Sequence, residues 1–325
     1  MTRHMTWRAI LILPTLVAAS IVVFAIMRAL PGDVVLVILS GSGEAAVSPK
    51  ARDALEEELG LKDPLPIQYA RWLGSMMSGG FGGRSLTNRE AIGSIIARQL
   101  PITLLLTSYT VLLSILISQP LGILAAVWNN RWPDYLIRIV TLGGLALPNL
   151  WIAILVILIL LHIIQWSPPI IYASPWSSLP THFQMMILPT LILVWEYSSH
   201  LVRVTRSSML SALGRPYITT ARAKGIPEHF VILRHAVRNA LIPSVTMLGL
   251  QYGNLIGGTL ILETIFGLPG IGRGLVQATL NRDYPVVQTL VMLMVLLSLL
   301  VNFVVDTLYT LIDPRMSHTI NRIGL

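Results

Sequence analysis

Ile139-Val140-Thr141-Leu142-Gly143-Gly144-Leu145-Ala146-Leu147-Pro148-Asn149-Leu150-Trp151-Ile152-Ala153-Ile154-Leu155-Val156-Ile157-Leu158-Ile159-Leu160-Leu161 opens a run that continues to Trp195 without one Asp, Glu, Lys or Arg. A water-facing surface cannot be built from such a run. About 20 apolar residues in a helix cross the hydrocarbon core of a bilayer. The rest of the chain agrees. Of its 325 residues 54% are hydrophobic and 12% charged, and the mean hydropathy is +0.71. A soluble globular chain carries roughly 25% charged residues, so a soluble enzyme and a disordered protein are both excluded. The expected fold is an all-α polytopic membrane protein.

Six spans are expected. Ala9–Met27 (9–27) is uncharged and bracketed by Arg8 and Arg28. It is longer than the apolar core of a secretion signal and lacks a small-x-small cleavage site after it, so it reads as a retained first span. The others are 100–127, with Pro120 as a kink, then 139–161, 185–202, 241–262 and 286–312. The flanking charges set the orientation. With the N-terminus (1–8) inside, the inner segments 1–8, 128–138, 203–240 and 313–325 hold 13 Lys and Arg. The short outer loops 162–184 and 263–285 hold two. Basic residues gather on the cytoplasmic side, which predicts that both termini lie in the cytoplasm. The same rule accounts for the net charge of +8 without nucleic acid. The chain has no cysteine, so disulfides, thiolate metal sites and cysteine nucleophiles are absent.

Residues 28–99 are long and of mixed charge, and read as a small extracytoplasmic subdomain. Ser48-Pro49 fits a helix start, Lys50–Leu59 the helix and Gly60 its stop. A second helix is expected over Ile67–Met77. No phosphate-binding G-x-x-x-x-G-K-[ST] and no H-E-x-x-H occurs. Gly270-Ile271-Gly272-Arg273-Gly274 is glycine-rich but lies between two spans, which predicts a tight turn.

The informative cytoplasmic stretch is Arg215-Pro216-Tyr217-Ile218-Thr219-Thr220-Ala221-Arg222-Ala223-Lys224-Gly225-Ile226-Pro227. Pro216 ends the preceding helix and can open a new one. Tyr217–Lys224 is then a short helix, and Gly225 is well placed to close it. Pro227 starts a further basic helix with Arg234, His235 and Arg238. Ala221 and Ala223 would offer low relief to a docking partner, with Arg222 and Lys224 as a polar rim. A helix lying on anionic lipid would need a bulkier apolar face than Tyr217 and Ile218 supply.

With these residues quoted, the chain resembles the membrane-spanning permease of ATP-driven (ABC) importers of the dipeptide, oligopeptide and nickel group. The likeness extends over nearly the whole chain. It includes Arg28-Ala29-Leu30-Pro31-Gly32-Asp33, Leu59 to Tyr69, Thr220 to Gly225, Arg234 to Pro243, Glu263 to Gly272, Asn281 to Pro285, Asp306 to Tyr309 and Asp313-Pro314-Arg315. The resemblance implies that Tyr217 and Thr219, Thr220, Ala221, Arg222, Ala223, Lys224 and Gly225 form a coupling helix in a groove of a cytoplasmic ATPase. It implies as partners a second, similar permease, two ATPases and an extracytoplasmic binding protein, all at a bacterial inner membrane. No cofactor is expected on this chain; ATP and Mg would belong to the ATPases. Two departures stand out. Thr219-Thr220-Ala221 replaces the Glu-Ala-Ala of many importers, and Gly79-Gly80-Phe81-Gly82 lacks the acid of Gly-Asp-x-Gly.

Polar residues within spans are the remaining suspects. Glu196 and His200 are four apart on one helical face. Glu196 lies outside the family pattern. It would either touch a substrate amine or pair with His200 or Arg203. Asn149, Gln251 and Asn254 would line the pathway or bond between helices. Gly249, Gly253 and Gly257 would admit a close neighbouring helix. The rival reading is a proton-coupled secondary transporter with Glu196 and Asp306 as proton carriers. It has no use for the basic helix–Gly–Pro–helix loop.

Overall fold

The computed structural model describes residues 2–29, 50, 52, 53, 57 and 62–312. The expected helix at Lys50–Leu59 with its Gly60 stop, and the tail 313–325, lie largely or wholly outside the described residues, as do the side chains of Asn254 and Asp306.

The described residues are almost entirely helical. In chain order they form α1 (Thr2–Ala29), α2 (Leu65–Ser75, widening into a π-helical turn at Met76–Gly80), α3 (Ile92–Val127), α4 (Trp132–Ala146), α5 (Asn149–Ile164), α6 (Leu179–Leu213), α7 (Pro216–Ala223), α8 (Val237–Ile265), α9 (Ile271–Leu280) and α10 (Tyr284–Ile312). Glu228–Phe230 and a π-helical stretch, Val231–Ala236, lead directly into α8.

Among the described residues, Ile10–Ala29, Ile92–Val127, Leu179–Leu213 and Tyr284–Val305 are long and apolar enough to cross a membrane. α4 and α5 make a fifth span if taken together, although the chain bends by 102° between them. A continuous helix was expected over 139–161. The break has a local cause: Leu147 precedes a proline and is extended, with φ −95° and ψ 127°. The exposed surface of α5, including Trp151, Leu155, Ile159 and Ile163, is apolar. Water would not tolerate a patch of this kind, whereas lipid does.

The chain divides into two compact units. One comprises Leu104–Leu268 with the chain from Ser298 and the first residues; the other comprises Trp7–Thr103 and Pro269–Leu297. In the second unit Met27, Ile92, Ile95, Ile96, Ile271, Ala278, Val286, Val287 and Leu290 form the core. α2 lies on α1 through Phe24, Tyr69 and Trp72, and the Ser20 and Tyr69 hydroxyls are 2.8 Å apart. The glycine-rich segment is the first turn of α9 rather than a tight turn. Its Ile271 N–H donates to Thr103 Oγ1 at 2.9 Å, and a side chain at Gly274 would collide with Gln99.

Asp283, 4% exposed, ties a loop into this unit. Ser85 Oγ donates to Asp283 Oδ2 at 2.5 Å, and the backbone N–H groups of Leu86 and Thr87 donate to the carboxylate at 3.1 and 3.3 Å. Ser85 Oγ also accepts from the N–H groups of Thr87 and Asn88 at 3.2 Å. One carboxylate and one hydroxyl thereby satisfy the backbone of the Arg84–Ala91 turn.

Candidate functional site: the short helix α7 and the polar cluster of α6

The fourth span was expected over 185–202 with its helix continuing to a break at Pro216, and α6 runs from Leu179 to Leu213. Its extension is held by packing: Thr205, Met209 and Ala212 are buried. Thr205 meets Gln119 of α3 and Ser244 of α8 at 3.1 and 2.8 Å, and Gln119 Nε2 donates to Ser244 Oγ at 2.9 Å. Arg206 forks onto the buried Asp134 of α4 with two bonds of 2.7 Å and reaches Asn129 at 2.8 Å. Asn130 N–H completes the Asp134 shell at 3.0 Å. These contacts fix the end of α6 from which α7 departs.

Arg215 is extended, Pro216 supplies the first helical position, and α7 makes two turns. Its end is closed by two backbone bonds. Gly225 N–H donates to Arg222 O at 2.9 Å and Ile226 N–H to Ala221 O at 3.4 Å. This is the six-to-one and five-to-two pairing of a Schellman cap. Gly225 sits at φ +74°, and no atom lies within 4 Å of the Cβ it lacks. Glycine is therefore required by the backbone and not by crowding.

The helix has two faces. Ile218 and Ala221 are buried with Ala126, Met209, Val231, Ala236 and Ala240. Thr219, Thr220, Arg222, Ala223, Lys224 and Gly225 are exposed. Ala221, expected on the low-relief outer surface, is instead part of the seat; Ala223 alone of the two faces outward. Arg222 is not a loose rim charge. It forks onto Glu228 at 2.6 and 3.1 Å across the Gly225 turn. Those hydrogen bonds hold the Glu228 carboxyl below the usual carboxylate range. Asn239 Nδ2 donates to Tyr217 Oη at 3.1 Å, tying the start of α7 to α8.

Within the spans, Glu196 accepts a short hydrogen bond from Asn149 Nδ2. Its partner is thus Asn149, the first residue of α5 after the bend, rather than His200 or Arg203. Asn149 Oδ1 and His200 Nδ1 are buried without a partner, as is Gln251 Oε1. The neighbouring Trp195 fixes the local frame: its indole N–H donates to Val140 O at 2.9 Å, and Gly143 and Gly144 of α4 leave room for its ring. Along the Gly249, Gly253 and Gly257 row of α8, Gly249 lies against Val305 and Gly253 against Asn302 of α10, while nothing approaches Gly257. Among the described residues no group of three or more His, Asp or Glu side chains is placed to hold a metal ion.

Sequence reasoning missed Asp134–Arg206 and Gln119–Thr205–Ser244. The partners are 72, 86 and 125 residues apart, and no local pattern announces them.

Residues 118–318 match the family described as binding-protein-dependent transport system inner membrane components. Residues 1–107 match the N-terminal family of such membrane components. The glutathione transport system permease protein GsiC of Salmonella paratyphi A is 38% identical over 318 residues, covering 98% of this chain and 100% of the relative. The oligopeptide transport system permease protein AppB of Bacillus subtilis is 35% identical over 324 residues, with 98% and 100% covered. GsiC of Escherichia coli K12 is 36% identical over 318 residues, with the same coverage.

Proposed function

This chain belongs to the family of binding-protein-dependent transport system inner membrane components, and from that premise we propose that it forms half of the translocation pathway of an ATP-driven importer for peptides or similar small solutes. It is a multi-pass, all-α transport subunit. In the proposed assembly a second, similar permease supplies the other half of the pathway. An extracytoplasmic binding protein delivers the solute, and two cytoplasmic ATPases bind ATP and Mg. Six spans with both termini inside a bacterial inner membrane fit the charge distribution, α8 providing the fifth span and the bent α4–α5 pair the third. The peptide-type solute is supported by the named transport systems of GsiC and AppB.

The observation that carries this reading is the two-faced build of α7. A helix of eight residues cannot hold its shape alone in water. Here it is bolted down through Ile218 and Ala221, capped at Gly225, and left with a small polar outer face. Such a part transmits force from a docked partner to α6 and α8 without bending. ATP-driven closure of the ATPases would rock the spans through it.

Gly225→Asp tests the assignment. The site has room for a side chain, and Asp tolerates the left-handed region better than most residues, so the permease is expected to insert normally. The added carboxylate would sit at the docking face, and ATP-coupled uptake is expected to be lost. Gly225→Asn, of the same size without the charge, is expected to retain most uptake. Normal uptake by Gly225→Asp at normal membrane abundance would remove α7 from the coupling role.

A further inference from the structure

The polar cluster at the junction of α5 and α6 has more acceptors than donors. Glu196 is the charged member, and its partner is the neutral amide of Asn149. That amide gives one of its two N–H donors to Glu196, and its Oδ1 is buried with no donor. One helical turn further along α6 on the same face, His200 Nδ1 is also buried and unpartnered, and with the ring proton on Nε2 it is a further acceptor. A carboxylate within a span is costly unless its charge is met, and a neutral amide does not meet it. Adjacent buried acceptors without donors raise that cost. These groups lie on α5 and α6, and α6 is held against α4 next to them by the Trp195–Val140 bond and the Gly143–Gly144 recess.

We propose that Glu196, Asn149 Oδ1 and His200 Nδ1 form a transient binding site for the primary ammonium group of the transported solute. An ammonium carries one positive charge and three N–H donors, which matches one carboxylate and two neutral acceptors. The donor set disfavours metal alternatives. Hard cations prefer oxygen ligands throughout, and three or more grouped His, Asp or Glu side chains are not available among the described residues. Binding there is temporary by construction: one charged contact and two neutral ones hold an amine without trapping it, as conduction demands. The inference rests on the importer reading, since it requires that a solute pass this point.

The absence of native cysteine permits a direct test in the assembled complex. His200→Cys places one thiol in this chain beside the intact Glu196–Asn149 pair. Its labelling by a cationic ammonium methanethiosulfonate is compared with labelling by the anionic sulfonate reagent, and read by mass on this chain. Relative to their rates with a free small thiol, the cationic reagent is expected to gain at least about tenfold over the anionic one, because the carboxylate concentrates cations. Glycinamide should slow the labelling and neutral N-acetylglycinamide should not. Adding Glu196→Gln should abolish both the preference and the protection. Equal rates for the two reagents, an unreactive thiol in every nucleotide state, protection by both amides, or a preference that survives Glu196→Gln would each overturn the site. ATP-driven uptake by the unaltered complex is measured in parallel. Its absence would count against the importer reading and not against the amine site.

Discussion

Asp283 and Glu196 are carboxylates removed largely from bulk water, and they are equipped in opposite ways. Asp283 receives a hydroxyl and the backbone N–H groups of Leu86 and Thr87, and the hydroxyl itself accepts from Thr87 and one further N–H, that of Asn88. Every member of that knot is answered within the chain. Glu196 receives one side-chain amide, and the groups around it are left with open acceptors. A buried charge whose shell is complete stabilises a fold. One whose shell is incomplete is suited to a visitor.

The strongest way to break this contrast is Asp283→Ala. It leaves the hydroxyl of Ser85 and the N–H of Leu86 without an acceptor, and a loss of about 3 kcal/mol is expected. The readout is the melting temperature of the purified complex together with membrane abundance. A variant as stable as the parent would show that the knot does not hold the Arg84–Ala91 turn.

Glu196→Gln should behave in the reverse manner. The near-isosteric amide can still accept from Asn149, so a stability change below about 0.5 kcal/mol is expected, typical of a change that breaks no complete shell. Uptake of a cationic solute relative to a neutral one should fall. A marked drop in melting temperature with an unchanged uptake ratio would make Glu196 a packing residue like Asp283.

The smallest effect concerns Glu228. Its folded carboxyl titrates below the ordinary range because Arg222 hydrogen-bonds it. The sign follows directly. The pair contributes above the unfolded carboxylate value of about 4.3, and the contribution is lost as pH falls through the lower folded value. Both side chains are about half exposed, so solvent screening keeps the contribution within about 0.5 kcal/mol. Melting curves of the parent and Glu228→Gln should stay apart down to about pH 4.3 and converge below it. A gap that widened on acidification would contradict the pairing.

Much of this was readable from local chemistry. The uncharged run from Ile139 to Trp195 announces membrane helices because bilayers exclude charge. The Gly225 cap was legible because only glycine readily takes the left-handed turn that Pro216 and Pro227 frame, and φ +74° is what the structure has. Proline was a poorer guide. Pro14, Pro189 and Pro243 lie inside helices, while Pro148 marks a 102° bend; what differs is the packing around each. The end of α6 was legible in Pro216, and its run past the expected membrane boundary at Arg203 rests on packing. The helix continues past it because Met209 and Ala212 have a core to enter. Ala221 was misplaced for the same reason, since α7 is too short for its pattern alone to assign a face. Pairings such as Ser85 with Asp283, 198 residues apart, have no local signature at all.

The central claim is that α7 seats one face in this chain and offers the other to an ATPase. Ala221 and Ala223 are two residues apart, the first buried and the second exposed, and the chain has no cysteine of its own. Single Ala223→Cys and Ala221→Cys permeases, assembled with their partners and treated with a short thiol cross-linker, give the most direct measurement. Ala223→Cys is expected to join the permease to an ATPase subunit, with a yield that changes when ATP is added, while Ala221→Cys joins nothing. Equal cross-linking at both positions, or none at Ala223→Cys in a complex that still transports, would contradict the account.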